Sequence, residues 1–440
     1  MKHAARYQAC IEIFAKIQSR SLPMDLVVGD YMRNRRYIGS ADRAFIAETV
    51  YNVIRHYGRI NWYCEQINAA PEARILLAVF LLVFDSRELP EIESIYNGTR
   101  YAPEELSESE KQILLSIMDR QSLFELDMPS HVKSECPVLY KDRLEKRFGP
   151  DFEPEMKAFL NPAPLDLRVN VAVLDREKAA LSLQKDGVKT TPTPYSPWGI
   201  RCLEKAYLGK TRAFRNGEIE IQDEGSQLIA YLAGAKPGMQ VLDYCAGGGG
   251  KTLAMAAAMG GKGRLVAMDI DGRRLKKANQ RLKRAGCRDI IEIRPLDEKR
   301  HARWLKRQTG KFDVVLADVP CSGTGTWRRN PDSRWFQYGP DLEELTAIQS
   351  EILENVCATV KPGGRLVYAT CSILQEENDD QITAFLETHP EFEIIPAEMA
   401  WPVPDKTPDI VKGESFMKLT PLRAGTDGFF AAVLEKRLDA

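Results

Sequence analysis

The second half of the chain alternates short apolar runs with amphipathic helical stretches. Seven runs follow one another after residue 239: QVLDYC, RLVAMDI, IIEIRPL, DVVLADVP, RLVYATCS, FEIIPA and FFAAVLE. When helices separate successive strands, the crossovers place those strands side by side in a mainly parallel sheet with helices on both faces. The pattern therefore predicts a doubly wound α/β sheet over residues 221–440.

The preceding residues have a different pattern. Apolar residues recur at three- and four-residue spacing, as in Ile11, Phe14 and Ile17, which predicts an all-α domain over residues 1–140. Between residues 141 and 220 proline becomes frequent, and a strand-like run, LDLRVNVAV, precedes a helical stretch after Asp175. These features predict a small α+β connector domain.

Composition excludes several classes of protein. The longest apolar run, residues 75–84, has ten residues, whereas a membrane span needs roughly 20. The N-terminal residues lack the pattern of a signal peptide, so we expect a cytoplasmic monomer with no membrane contact. Nine cysteines without a C-x-x-C pair predict free thiols and no metal site. The net charge of −1 means that any contact with nucleic acid must come from local basic patches.

A glycine-rich segment, DYCAGGGGKT at residues 243–252, follows the first strand of the predicted sheet. Ligands of open α/β sheets bind beyond the carboxyl ends of the strands, so this loop is a candidate cofactor site. A Walker A loop needs glycine where Cys245 stands, and a dinucleotide loop needs its last glycine where Thr252 stands. Both phosphate-binding patterns are incomplete, which favours a nucleoside without pyrophosphate, such as S-adenosylmethionine.

Aspartates end the next two strands. Asp269 stands where an acid would bind ribose hydroxyls, and Asp297 is placed to face the adenine. Each of them alone is as easily a helix N-cap, but their joint placement at successive strand ends favours cofactor binding. The predicted cofactor-binding residues are Cys245, Ala246, Gly247, Gly248, Gly249, Gly250, Lys251, Asp269, Asp297 and Asp318.

Cys321 and Cys371 follow the fourth and fifth strands, in DVPCSGTG and YATCSILQEEN. A cysteine is usually a small buried apolar residue, but two at adjacent strand ends beside a cofactor loop indicate chemistry. Together with DYCAGGGGKT, VAMDID, the continuation TWRRNPD and the terminal TDGFFAAVLEK, they resemble the Nop/Sun family of RNA cytosine-C5 methyltransferases. The segment RYIGSADRAFIAETVYNVIRHYGRI is similar to the NusB-like helical domain of bacterial members, so the resemblance extends over nearly the whole chain.

The resemblance implies a Rossmann-like class I methyltransferase sheet, S-adenosylmethionine as cofactor and RNA as substrate. It favours small-subunit ribosomal RNA, with transfer RNA as the second candidate. Cys371 would be the nucleophile and Cys321 the residue that assists release of the product. Cytosine C5 is a weak nucleophile, and thiolate addition to C6 turns C5 into an enamine carbon that can accept a methyl group.

Two further residues are assigned to the same chemistry. Asp318 is predicted to act as a carboxylic acid that meets negative charge at N3 of the base, and Lys251 as a second polar group near the base. We also expect a helix opening at residues 375–378 to assist Cys371 through its N-terminal dipole. The family's usual loop has proline where this chain has Gly248, which puts the rigidity of the loop in question.

Two arginine-rich segments are candidates for RNA contact, because arginine and aromatic side chains bind phosphates and stack on bases. One consists of Arg33, Arg35 and Arg36, which are as easily a solvated helix end. The other consists of Arg328, Arg329 and Arg334 with Trp327 and Trp335. The longer basic run over residues 273–284 is expected to be a solvated helix face. Two other functions stay open: a P-loop ATPase, disfavoured by Cys245, and a catalytically silent RNA-binding assembly factor, disfavoured by the paired cysteines.

Overall fold

The computed structural model describes residues 1–19, 22–296 and 299–439, without the side chains of 299–302. The chain forms two compact units. The first contains Met1–Asn161 together with Trp327–Pro340, and the second contains Pro162–Thr326 and Asp341–Ala440. The predicted division into three domains at residues 140 and 220 stays a prediction. No helix in the described part of the chain is both long and apolar enough to cross a membrane.

The first unit is helical, as the spacing of its apolar residues predicted. Its helices are α1 (His3–Ser19), α2 (Met24–Asn34), α3 (Ser40–Arg55), α4 (Tyr57–Gln66), α5 (Ala73–Val83), α6 (Leu89–Ile95), α7 (Glu108–Asp127), α8 (Ser130–Lys133), α9 (Val138–Phe148) and α10 (Phe152–Ala158). Helix α5, with the sequence ARILLAVFLLV, is central and contacts α1, α3, α4, α6 and α7. A helix that is apolar on all sides is stable only when neighbours cover it.

The segment Trp327–Pro340 is built into this helical unit. Trp327 is buried there. Asp332 Oδ2 accepts a hydrogen bond of 2.8 Å from the backbone N–H of Met24, the first residue of α2. The Trp335 indole N–H donates to the carbonyl of Ile54 at 3.0 Å. The segment therefore serves as a structural part of the helical unit.

The prediction that this segment presents its arginines and tryptophans to RNA is wrong for the buried members. Trp327, Arg328 and Arg334 expose only 1%, 6% and 4% of their surface. The Arg334 guanidinium lies over the Trp327 ring at 4.6 Å, and Trp335 is half-buried. An exposed surface that stacks on RNA bases and a buried cation–π pair can both be built from arginine and tryptophan. The sequence alone therefore could not distinguish an RNA-binding surface from a buried pair.

The second unit begins with a small α+β sheet, as predicted for the connector. Strands β1 (Asp166–Val169), β2 (Thr190–Pro192), β3 (Gly199–Cys202) and β4 (Ile219–Ile221) form an antiparallel sheet in the order β2-β3-β1-β4. Helices α11 (Arg176–Lys185), α12 (Arg212–Arg215) and α13 (Glu224–Leu232) accompany it. Asp175 caps α11 by accepting a hydrogen bond of 2.8 Å from the Lys178 N–H.

All seven predicted runs form strands of the large sheet. They are β5 (Gln240–Asp243), β6 (Arg264–Asp269), β7 (Ile291–Pro295), β8 (Phe312–Asp318), β9 (Val360–Thr370), β10 (Phe392–Ile395) and β12 (Phe429–Lys436), and the short β11 (Met417–Leu419), which was not predicted, pairs with β12. The order is β10-β12-β9-β8-β5-β6-β7. Strand β12 runs antiparallel to both neighbours, while β5 to β9 are parallel.

The remaining helices are α14 (Gly250–Ala258), α15 (Gly272–Arg284), α16 (Lys299–Lys306), α17 (Leu342–Cys357), α18 (Asp379–Thr388), α19 (Ala397–Ala400) and α20 (Pro421–Ala424). The chain leaves β5 towards β6 on one side, and β8 lies on the other side. This reversal of strand order opens a crevice at the carboxyl ends of β5 and β8, where ligands bind in such sheets.

We predict that Trp327→Ala lowers the free energy of unfolding of the helical unit by about 3–5 kcal/mol, the usual effect of removing a large buried aromatic side chain. Its ring also contacts Tyr140 and Phe159, each at 5.9 Å between ring centroids. Urea denaturation of the full chain measures the change, and the exposed Tyr207 provides the control Tyr207→Ala. An unchanged unfolding midpoint together with lost RNA affinity would restore the RNA-contact interpretation.

Candidate active site

A pocket of about 790 Å³ lies at the reversal point of the large sheet. The predicted site residues that line it are Cys245, Ala246, Gly247, Gly248, Gly250, Lys251, Asp269, Asp318, Cys321 and Cys371. Asp243, Glu351 and Asn355 also contribute to the wall, and the sequence analysis had not selected them. Asp297 lies outside the described residues. One pocket thus contains most of the glycine loop, two of the three predicted acids, Asp269 and Asp318, and both cysteines.

The glycine loop has a backbone that requires glycine at two positions. Gly247 and Gly249 have φ angles of 53° and 76°, in the left-handed region that other residues rarely adopt. Gly249 is the N-cap of α14, and no side chain caps that helix. The first-turn N–H groups of α14 can therefore bind an anionic group of a ligand.

Asp269 holds the loop against strand β6. Its Oδ2 accepts a hydrogen bond of 2.7 Å from the Gly247 N–H, and its Oδ1 accepts one of 2.8 Å from the Asp271 N–H. The N-cap of α15 is Asp271, which accepts from the Arg273 N–H at 2.9 Å. The N-cap alternative is therefore wrong for Asp269. Each carboxylate oxygen retains a second lone pair, so Asp269 can still accept a ligand hydroxyl.

Arg281 supports the loop at the position where the family usually has proline. Its guanidinium donates to the Gly248 carbonyl at 2.6 Å and to Glu220 at 3.1 Å. Arg284 also donates to Glu220, which is buried. The expectation of a solvated face over residues 273–284 is wrong for these two arginines. Sequence reasoning missed them because their partners lie in the connector sheet and in the loop.

Cys321 and Cys371 are in direct contact, with their Sγ atoms 3.3 Å apart. The hydrogen bond with Cys371, together with burial, raises the pKa of Cys321 well above its ordinary value. Cys321 therefore remains a thiol at neutral pH and can donate its S–H to the Cys371 sulfur. Such a bond favours negative charge on the sulfur that accepts it.

Lys251 and Asp318 form an ion pair, with 2.6 Å between Nζ and Oδ2. Burial lowers the pKa of Lys251, but Asp318 and Cys371 outweigh this effect, and the net pKa is raised. Lys251 is therefore a permanent cation beside the predicted acid. The sequence did not reveal that Asp318 has an ammonium partner, and its predicted role as a neutral acid stays a prediction.

Two consecutive polar residues hold the loops that carry the cysteines. Glu377 is fully buried. Its carboxylate accepts hydrogen bonds from the Ser322 N–H at 2.7 Å and from the Ser322 hydroxyl at 2.6 Å. Asn378 donates to the Ser372 carbonyl at 3.0 Å and accepts from the Thr370 hydroxyl at 2.6 Å. The EEN sequence after the second cysteine thus fixes both loops. Its signal in the sequence was an acidic and an amide residue in the segment that follows the strand-end cysteine.

The predicted helix after Cys371 starts later than expected. Helix α18 begins at Asp379, and residues 372–378 are not helical. Helix dipoles act within the first turn, so the prediction of dipole assistance to Cys371 is wrong. The Lys251 ammonium, by contrast, does interact electrostatically with Cys371.

A pair of glycines joins the Cys321 loop to the last strand. The Gly325 N–H donates to the Cys371 carbonyl at 2.9 Å, and the Gly428 N–H donates to the Gly325 carbonyl at 2.7 Å. A Cβ atom on Gly325 would lie 2.1 Å from the Gly428 oxygen. Backbones can approach this closely only without side chains, which explains glycine in both GTG and TDGFF.

Outside this pocket, three possible metal ligands converge in the described part of the chain: Glu354, Cys357 and His389. His389 Nε2 lies 3.6 Å from Cys357 Sγ and 3.5 Å from a Glu354 carboxylate oxygen. A thiol–imidazole hydrogen bond accounts for the same geometry. The absence of a metal stays a prediction.

Comparison with known proteins matches this architecture. A family model described as "16S rRNA methyltransferase RsmB/F" matches residues 230–435, and a ferredoxin-like domain model of RsmF/B-like methyltransferases matches residues 137–207. Ribosomal RNA small subunit methyltransferase B from Photorhabdus laumondii is 29% identical over 411 residues, which cover 91% of this chain and 92% of the relative.

Comparison with solved structures supports the same family. The crystal structure of PH0851 is 26% identical, has a TM-score of 0.77 and covers 99% of both chains. A methyltransferase homolog protein from Pyrococcus horikoshii is 27% identical with a TM-score of 0.58, over 70% of this chain and 97% of that one. With the glycine loop and the paired strand-end cysteines in one pocket, these matches lead to one conclusion: the chain belongs to the Nop/Sun family of methyltransferases, in its RsmB/F branch.

Proposed function

We propose that the protein transfers a methyl group from S-adenosylmethionine to C5 of a cytosine in small-subunit ribosomal RNA, through a covalent adduct between Cys371 and C6. The observation that carries this proposal is the contact of 3.3 Å between two thiols in the pocket that also contains the glycine loop. A methyltransferase acting on a nucleophilic oxygen or nitrogen has no use for paired cysteines, whereas cytosine C5 requires a covalent nucleophile.

The pocket fits the cofactor. The uncapped N-terminus of α14 suits the carboxylate of the methionine part, and Asp269 at the end of β6 suits the ribose hydroxyls. Asp297, outside the described residues, remains assigned to the adenine by its place in the sequence. S-adenosylmethionine supplies an electrophilic methyl group on its sulfonium.

The chain's own residues perform the covalent steps. The Cys371 thiolate adds to C6, the new S–C6 bond forms, and the C5=C6 electrons become available at C5. Asp318 acts as a carboxylic acid and donates a proton to N3 as negative charge reaches that atom, and the Lys251 ammonium stabilises the carboxylate that this leaves. N3 returns the proton to Asp318 once C5 carries the methyl group. After methylation the C5 proton leaves, its electrons re-form the C5=C6 bond, and the S–C6 bond breaks to restore the Cys371 thiolate.

Cys321 is the base for the C5 proton in this scheme. Its contact with Cys371 is the first cause of its raised pKa. Once the Cys371 sulfur is bonded to carbon, that sulfur no longer carries negative charge, so the largest cause of the raised pKa of Cys321 is removed while burial remains. Cys321, which lines the pocket, can then lose its thiol proton to solvent water there, and the resulting thiolate accepts the C5 proton. The same contact therefore protects Cys321 from ionisation before the adduct forms and releases it afterwards.

Ribosomal RNA is favoured over transfer RNA because the relatives of 29% identity are named ribosomal RNA small subunit methyltransferase B. A ribosomal substrate also fits the expected cytoplasmic location. The monomeric state stays a prediction. A P-loop ATPase and a silent assembly factor are disfavoured by the same loop and cysteine pair.

We expect Asp269→Asn to weaken binding of S-adenosylmethionine by about 1–3 kcal/mol, because a ligand hydroxyl loses a charged acceptor and the Gly247 N–H loses its carboxylate. Isothermal titration of the full-length protein with S-adenosylmethionine, and separately with ATP, measures this. Asp271→Asn is the matched control, since that side chain caps α15 and does not line the pocket that contains the glycine loop. Equal losses in both variants, or tight binding of ATP alone, would contradict the cofactor assignment.

The two cysteines are expected to behave differently when replaced. Cys371→Ala forms no adduct and is inactive, whereas Cys321→Ala adds to the base and methylates it but cannot remove the C5 proton, so a protein–RNA species accumulates. Denaturing electrophoresis with labelled RNA detects that species, and the double variant should show none. A trapped species in Cys371→Ala that disappears when Cys321 is also replaced would reverse the roles.

The substrate class can be read directly from cells. In a strain from which the gene is deleted, bisulfite sequencing of total RNA should show loss of 5-methylcytosine at a position in small-subunit ribosomal RNA. Complementation with Cys371→Ala should fail to restore it, while the wild-type gene should succeed. Loss confined to transfer RNA would move the activity to the second substrate.

A further inference from the structure

A second groove, of about 840 Å³, lies on the helical unit. Its wall is formed by α1, the end of α2 and the loop after α6. The side chains that matter for its chemistry are Lys2, Glu12, Tyr31, Arg35, Tyr37, Arg100 and Tyr101. None of them belongs to the active-site pocket, and the sequence analysis had selected only Arg35 among them.

Two large aromatic rings stand exposed in this groove. Tyr37 and Tyr101 expose 74% and 66% of their surface. Arginines accompany the aromatic rings: the Arg100 guanidinium lies 4.8 Å from the Tyr101 ring centroid, and that of Arg35 lies 3.8 Å from the buried Tyr31 ring. Exposed rings beside planar guanidinium groups offer flat surfaces on which a nucleobase can stack.

The charge of the groove is positive. Lys2, Arg35 and Arg100 line it, against a single carboxylate, Glu12. Glu12 is already engaged, since it pairs with Arg35 at 3.1 Å and accepts from the Tyr31 hydroxyl at 2.9 Å. Within the residues that the structure describes, Arg100 has no ion-pair partner. Lys2 and Arg100 are therefore available to phosphate groups.

We propose that this groove binds an unpaired stretch of the substrate RNA, with bases stacked on Tyr37 and Tyr101 and phosphates on Lys2 and Arg100. The inference rests on the proposed function, because it takes RNA as the substrate. Unpaired RNA is the fitting partner, since the bases of a duplex are already stacked on one another and do not offer their faces to tyrosine rings. The groove would anchor the substrate while the reacting cytosine occupies the pocket of the other unit.

The test uses point variants of the full chain, because deletion of residues 1–140 would remove helices that pack against Trp327–Pro340. With a transcript of small-subunit ribosomal RNA, the double variant Tyr37→Ala/Tyr101→Ala should raise KM for RNA roughly tenfold or more, as expected for lost base stacking. Its kcat at saturating RNA and its affinity for S-adenosylmethionine should not change.

Three controls isolate the cause. Tyr37→Phe/Tyr101→Phe keeps both rings and should retain the wild-type KM. Arg100→Gln should reduce the slope of log affinity against log salt by roughly 0.7, the value for one phosphate contact to a single strand. Arg120→Gln, which changes an exposed arginine on α7, should leave that slope as it is. Cross-linking to RNA containing 5-bromouridine should label peptides with Tyr37 or Tyr101.

The outcomes separate this inference from the proposed function. If the wild-type protein methylates the transcript and the double alanine variant keeps its KM, the groove does not bind RNA and the proposed function stands. If the wild-type protein does not methylate the transcript, the proposed function fails, and fluorescence anisotropy with the same RNA still tests the groove. The double alanine variant could instead keep its affinity for free RNA but bind more weakly to small ribosomal subunits that carry their proteins. In that case the groove binds a ribosomal protein, and the inference is overturned.

Discussion

The contact between the Cys321 and Cys371 thiols, 3.3 Å apart, is the interaction on which the proposed chemistry depends. Two thiols this close cannot both ionise easily, because the second negative charge would form against the first. The structure resolves the conflict by raising the pKa of Cys321 and by placing the cation of Lys251 near Cys371. In the proposed scheme this contact leaves Cys321 as the thiol that keeps its proton beside the cysteine assigned as nucleophile.

Maintaining that contact requires two loops, from strands β8 and β9, to keep their positions to within a fraction of an ångström. Glu377 and Asn378 bond one loop each, and the close approach of Gly325 and Gly428 ties both to the last strand. These groups are buried, so a lost hydrogen bond would leave an unsatisfied polar atom at a cost of about 1–3 kcal/mol. The antiparallel last strand thus contributes to the site although it carries none of the reacting groups.

The cofactor loop is supported by a second set of contacts. Asp269 binds its backbone from strand β6, and Arg281 binds the Gly248 carbonyl while Glu220 of the connector sheet holds the guanidinium. A proline would restrict this backbone covalently, whereas here the half-buried Arg281–Glu220 ion pair holds the guanidinium that binds it. The small antiparallel sheet therefore has a role at the pocket beyond joining two parts of the chain.

The sequence by itself determined the large sheet and the composition of the pocket. Seven strands could be read from local apolar runs. The residues at or just beyond the ends of four of these strands were Cys245, Asp269, Asp318, Cys321 and Cys371. Parallel strands bring their carboxyl ends to one edge, so their position in the sequence was enough to predict that these side chains meet. Only the tertiary structure decided that Trp327 and Arg334 are buried in the helical unit, that Arg281 reaches Gly248, and that Cys321 keeps its proton. Each of these properties depends on a partner that is far away in the sequence. The free energies of burial and of hydrogen bonding depend on that partner, so they cannot be inferred from the residue type alone.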